Sequence, residues 1–295
     1  MVNRINPELR VGTTERQHIR VAILDLYNNE PNEGMRCLQQ ILNDFPLQSH
    51  QTLSHKIYDV RFRHEVPEMD YDIYISTGGP GSPLEEPGAQ WEKKYFEWLA
   101  DLMNFNKLNE NCRKHAFFIC HSFQLLCRHL EVGDVCRRNS TAFGIFPIYR
   151  TEDGINEPLF QGLANPFYSV DSRDWQLIQP DLNRLKAIGA KILAIEKDRP
   201  HVDYERAVMA IRFSDVIIGT QFHPEADPVG MRHYLLRSNK KDTVIKHHGI
   251  EKYNEMLAHL NDPDKISLTQ RIILPAFLQT AINDNRERIM TKARA

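Results

Sequence analysis

No Cys-x-x-Cys pair occurs in this chain of 295 residues, and its cysteines (Cys37, Cys112, Cys120, Cys127 and Cys136) are odd in number. That pattern argues against both a zinc knuckle and a disulfide framework, and a reducing cytoplasm is the expected compartment. No apolar run approaches the roughly 20 residues that a membrane helix needs, so no membrane partner is expected. The opening segment MVNRINPELRVGTTERQ lacks the apolar stretch of a secretory leader. Neither sign of charge is in excess. A net charge of −2 gives no electrostatic reason to expect nucleic acid as a partner. There is no Gly-x-Gly-x-x-Gly and no Walker loop, so no nucleotide cofactor is expected, and no metal-ligand set stands out.

What is present is enough apolar residue, 41 % of the chain, for a sizeable core. The first half alternates between two periods. RVAILDL (20–26), HKIYDVRF (55–62), YDIYIST (71–77) and the apolar run ending at Cys120 read as strands. EGMRCLQQILNDF, AQWEKKYFEWLADLMNF and the stretch after Cys120 place apolar residues at helical spacing. The order β-α-β-β-α-β-α predicts an α/β domain, a three-layer sandwich with a mostly parallel sheet. GIFPIY, KILAIE, AVMAIRF and DVIIGTQFH extend the strand reading. Beyond Asp227 the pattern is helical. The division expected is an N-terminal arm (1–19), a main domain (20–236) and a C-terminal helical extension (237–295).

Ligands of an open α/β sheet bind at the carboxyl ends of its strands. Three expected strands end in unusual chemistry: STGGPGSP (76–83), ICHSFQ (119–124) and TQFHPEAD (220–227). Cys120 stands where a strand turns sharply into a helix. Such a turn presents the thiol above the sheet and beside a helix N-terminus, which favours thiolate. Its plain alternative is a small residue at the end of a buried strand. His223 and Glu225 are two apart and share one side of an extended segment. The carboxylate can then orient the imidazole toward a thiol, although HPEADP also reads as a surface turn. The glycine turn permits close backbone approach. The N–H groups of Gly79 and His121 are placed to donate to a developing oxyanion.

Taken in order, Gly78-Gly79-Pro80-Gly81, Ile119-Cys120-His121-Ser122-Phe123-Gln124 and Gln221-Phe222-His223-Pro224-Glu225 resemble the motifs of the class I glutamine amidotransferases. The resemblance spans residue 20 to about residue 236. It implies a flavodoxin-like amidotransferase fold and a Cys-His-Glu triad that cleaves the side-chain amide of glutamine through a thioester. Cys120 would be the nucleophile, His223 the base and acid, and Glu225 its orienter. Gly79 and His121 would form the oxyanion hole, and Gln124 and Gly81 would contact substrate. No synthetase domain is recognisable, so an ammonia acceptor would be a separate chain, and a homodimer stays open. Phe118 and Ser122 stand where the family has glycine.

A second resemblance, to homoserine O-succinyltransferases, rests on HIRVAILDLYNNEPNE and on FYSVDSRDWQ. It implies acyl transfer by the same triad. It places Ser172, Arg173 and Arg237 at the substrate, the two arginines as carboxylate binders. Against it, Thr141 lies near the place where that family keeps a lysine. ICHS is also similar to the Cys-His pair of the DJ-1/PfpI proteins, but His223-Pro224-Glu225 makes the side chain of His121 dispensable as a base. A catalytically inactive binding relative is the remaining alternative.

Overall fold

The computed structural model describes residues 16–84, 88–199 and 205–292. Most of the expected N-terminal arm lies outside them, as do Glu85 and Glu86, which the sequence places after the glycine turn.

Nine strands form one sheet in the order β2-β1-β3-β4-β9-β8-β7-β5-β6. The strands are β1 (Gln17–Asp25), β2 (Gln51–Asp59), β3 (Ile73–Ser76), β4 (His115–Ile119), β5 (Asp134–Arg150), β6 (Phe167–Ile178), β7 (Lys191–Glu196), β8 (Val208–Arg212) and β9 (Ile217–Thr220). Five of them, β2-β1-β3-β4-β9, are parallel neighbours. From β9 outward the pairing is antiparallel, through β8 and β7 to the β5–β6 ribbon. The expected α/β sheet is therefore present, with an antiparallel flank.

Helices cover both faces. On one side lie α1 (Glu33–Asn43) and α8 (Ile266–Lys292); on the other lie α2 (Gln90–Leu108), α3 (His121–Leu130) and α5 (Leu182–Ala187). A one-turn helix, α4 (Glu152–Ile155), follows β5. The strands β1, β3 and β4 are buried on both faces, which is why they read as near-continuous apolar runs. The side chain of Asn32 caps α1 by accepting from the N–H of Met35, and Asp227 caps α6 (Pro228–Leu236) at Gly230.

The C-terminal segment is helical, but α8 is no loose addition. Ile273, Leu274, Phe277, Leu278, Ala281 and Ile282 belong to the same core as β1, β3 and β4. The ring of Phe277 meets that of Phe117 edge-on, with centroids 5.2 Å apart. The helix α7 (Ser238–His259), broken at Gly249 (φ 83°), packs with α6 over the β5–β6 ribbon. No helix is long and apolar enough to cross a membrane among the described residues.

Candidate active site

The three distinctive loops meet above the carboxyl ends of β3, β4 and β9. Cys120 joins β4 to α3 with φ 49° and ψ −100°, a conformation that few non-glycine residues adopt. Two features hold this sharp turn. The N–H of Cys120 donates to the carbonyl of Thr220 on β9, at 2.7 Å. The hydroxyl of Ser122 accepts from the N–H of Ile119 at 2.8 Å and reaches the carbonyl of Ser76 on β3, also at 2.8 Å. The serine at the glycine place thus braces β3, β4 and α3 together.

Phe118, the other departure from glycine, is fully buried toward α2 and α3, beside Trp98 and within the core that holds Phe123. Room for it comes from the neighbouring strand. Gly219 pairs with Phe118, and a Cβ there would lie 2.7 Å from the ring of Phe123 and 3.4 Å from the Cβ of Phe118. The small residue beside Phe118 stands across the ladder, on β9.

His223 follows β9 and is held in extended backbone by its N–H donating to Val170 on β6, at 2.9 Å. Its Nδ1 lies 2.7 Å from Oε1 of Glu225, and the same ring stands beside Cys120 at the glycine turn. Burial opposes charge on this imidazole. The Glu225 carboxylate and the Cys120 sulfur outweigh it and hold the ring's affinity for a proton well above its ordinary value. Glu225 is buried at 1 % exposure, so the ring is its charge partner rather than water.

The glycine turn closes the third side. A Cβ on Gly78 would lie 2.8 Å from Cε1 of His223 and 3.5 Å from the Cβ of Cys120. A Cβ on Gly79 would fall 2.3 Å from the carbonyl oxygen of Leu26. Neither place has room for a side chain. Arg61 anchors the turn through the carbonyl of Pro80 at 2.5 Å, and Arg128 anchors it through that of Pro83. The same two guanidinium groups act on His121. Burial, with Arg61 and Arg128 adding to it, pushes that imidazole down to about 3, so its side chain stays neutral at any working pH. The N–H of His121 opens α3, where a helix has donors without intrahelical acceptors.

A cavity of about 500 Å³ opens here, lined by Cys120, His223, Glu225, Gly79, Gly81, His121, Gln124 and Ser172 among others. The carbonyl of Ser172 lies 3.8 Å from the sulfur. Gln124 is only 3 % exposed, and its side chain is tied to Gln221 and to the carbonyl of Trp175. The two arginines are placed differently from one another. Arg173 contributes to the cavity wall, but its guanidinium is buried in ion pairs with Asp171 at 2.9 Å and Glu196 at 3.3 Å. Arg237 lies outside the lining, exposed at the end of α6 over the ring of Tyr234. Arg173 thus spends Nε and Nη2 inside the fold, and Arg237 stands away from the cavity.

Two residues were not singled out by the sequence. Gln221 sits two before His223 and so shares its side of the extended segment; its Nε2 is 3.5 Å from the Cys120 sulfur. Tyr27, at the carboxyl end of β1, wedges its hydroxyl between Gly34 and Gly78. The end of a strand at the sheet's crossover point was the available signal for it. Among the described residues no group of acidic, histidine or cysteine side chains is disposed to hold a metal ion.

No curated protein matches the chain. Several solved structures share its fold. A glutamine amidotransferase from Thermotoga maritima is 17 % identical with a TM-score of 0.62, over 90 % of this chain and 99 % of that one. The protein SMU.1228c is 18 % identical with a TM-score of 0.59, over 89 % and 99 %. A glutamine amidotransferase from Methylobacillus flagellatus is 14 % identical with a TM-score of 0.51, over 94 % and 95 %. The family model described as glutamine amidotransferase class-I matches residues 41–242, which is most of the chain and contains all three loops of the cavity. The chain belongs to the class I glutamine amidotransferase family.

Proposed function

We propose that the protein is a thiol amidohydrolase that cleaves the side-chain amide of glutamine, or a related amide, through a thioester on Cys120. The observation that carries this reading is the line from Glu225 through His223 to Cys120, with the carboxylate 2.7 Å from Nδ1 and Cys120 beside the same ring. With Nδ1 given to the carboxylate, Nε2 is the nitrogen that serves the thiol. The thiolate attacks the amide carbon and the carbonyl oxygen becomes an oxyanion. The N–H groups of Gly79 and His121 are its donors. The imidazolium then gives its proton to the departing nitrogen, and ammonia leaves. In the second half His223 takes a proton from water as the water attacks the thioester, and the acid is released with the thiol restored. Glu225 keeps the ring in the productive tautomer and stabilises its charged form.

The cavity of about 500 Å³ leaves room beyond glutamine, which is why a larger amide belongs in the reading. With Arg237 outside the cavity lining and Arg173 tied to Asp171 and Glu196, a substrate carboxylate would rest on backbone N–H groups or on a partner chain. That partner, a separate synthetase that consumes the ammonia, is part of the proposal. The acyl-transfer alternative is weakened by the same placement, since it drew on Arg173 and Arg237.

The test is ammonia release from glutamine by the wild type and by Cys120→Ala, together with mass spectrometry after a chloroketone analogue of glutamine. The expected result is one adduct, on Cys120, and loss of turnover in the variant. Turnover that survives in Cys120→Ala would overturn the mechanism.

A further inference from the structure

The sulfur of Cys120 has a neighbour that the triad does not account for. Gln221 is fully buried, and its Nε2 lies 3.5 Å from Sγ, within range of an N–H···S hydrogen bond. A carboxamide can present either its oxygen or its nitrogen at such a place, and the two have opposite consequences. An N–H donor favours thiolate; a carbonyl oxygen disfavours it.

The surrounding contacts decide which end faces the sulfur. The carbonyl of Trp175 is a backbone oxygen and can only accept. It lies 3.2 Å from the Nε2 of Gln124, so the amino end of Gln124 must point there. The same Nε2 has a second hydrogen, and Oε1 of Gln221 receives it at 2.9 Å. With its oxygen so occupied, Gln221 turns its amino end to the sulfur. One backbone carbonyl on β6 therefore sets the polarity of both amides, from Trp175 through Gln124 to Gln221 and Cys120. Both side chains are almost completely buried, Gln221 at 0 % and Gln124 at 3 %, so water does not compete for these bonds.

We propose that Gln221 is a thiolate-stabilising donor to Cys120, and that Gln124 is the positioning residue that latches it in the donating orientation against the carbonyl of Trp175. This assigns Gln124 a second task beside the substrate contact that the family resemblance implies. It also adds to the His223–Glu225 pair a donor that approaches the sulfur from the residue just after β9.

The inference rests on Cys120 being the nucleophile of the proposed reaction, but its test does not require turnover. The rate of alkylation of Cys120 by iodoacetamide, followed by peptide mass spectrometry across pH, reports thiolate directly. Gln221→Met keeps the shape and removes the donor. The expected result is that the midpoint of the alkylation profile moves up by about one pH unit, a tenfold loss of thiolate below it. Gln124→Met touches no sulfur; it should move the midpoint in the same direction by a smaller amount, because Gln221 is then free to rotate. In turnover, kcat should fall about tenfold for Gln221→Met with KM within twofold. An unmoved midpoint in Gln221→Met, with the circular dichroism of the wild type, would overturn the inference and leave the glutamine only a packing role. An unmoved midpoint in Gln124→Met would overturn the latch. Failure of the wild type to hydrolyse any amide, with the alkylation shifts intact, would count against the proposed reaction and not against this donor.

Discussion

Removing the hydroxyl of Ser122 tests the account of the elbow most directly. The side chain is completely buried, and it accepts from the Ile119 N–H and reaches the Ser76 carbonyl, both at 2.8 Å. In Ser122→Ala the N–H of Ile119 loses this acceptor. The space vacated is one oxygen atom, too small for a water that would need two or more polar partners. The Ile119 N–H keeps its ladder contact with β3 and loses a second, buried one, worth about 0.5–1.5 kcal/mol. The Ser76 carbonyl loses one bond, worth about 0.5–1.5 kcal/mol. The sum expected is about 1–3 kcal/mol, a substantial part of the 5–15 kcal/mol typical of a folded domain. Urea unfolding followed by fluorescence of the buried Trp91 and Trp98 reads it as a drop in midpoint at constant slope. Because the brace also fixes the turn at Cys120, kcat should fall by about tenfold or more while KM changes little. A loss under 0.5 kcal/mol with unchanged kcat would refute the argument that serine does the work of holding this turn.

Two further variants probe the charges. Glu225→Gln removes the carboxylate from the His223 ring and should lower kcat at least about a hundredfold. It also removes a pH-dependent contribution to stability. The imidazole holds its proton more tightly folded than unfolded. That contribution is complete below the unfolded imidazole value and is lost as pH rises through the raised folded value. The stability gap between wild type and Glu225→Gln should therefore narrow in urea titrations carried from neutral to alkaline pH; a gap that widens there would contradict the assignment. Arg173→Met strands the Asp171 carboxylate, 2 % exposed, without its guanidinium. A loss of about 3–5 kcal/mol is expected, with much of it recovered in the double variant Asp171→Asn, Arg173→Met. A single-variant loss below 1 kcal/mol would show that the arginine is not the structural tie described above.

How far the sequence carries can be judged element by element. From β1 to α3 the order was legible, because strands buried on both faces give unbroken apolar runs and amphipathic helices give their own period. The ribbon of β5 and β6 was less so. GIFPIY reads as a short strand, whereas β5 begins at Asp134 and runs through DVCRRNSTAF. FYSVDSRDWQ is conspicuous as a motif, while in the fold it is strand β6. Polar residues run along both sides of this ribbon, and its charged positions find partners across the fold, as Arg138 and Arg173 do at Glu196. Such pairings have no trace in local spacing.

The same line divides the site. Cys120, His223-Pro224-Glu225 and the glycine turn were visible because each is a short segment whose local geometry follows from its residues: a strand-to-helix turn, an extended i, i+2 pair, a loop without side chains. The tertiary structure alone decided the rest. It brought three loops from β3, β4 and β9 within contact, turned Arg173 into an internal ion pair, and gave Phe118 its space through Gly219. It also set which end of Gln221 meets the sulfur. Those outcomes depend on neighbours supplied by other strands, and a buried polar group takes its role from whichever partner the fold puts beside it.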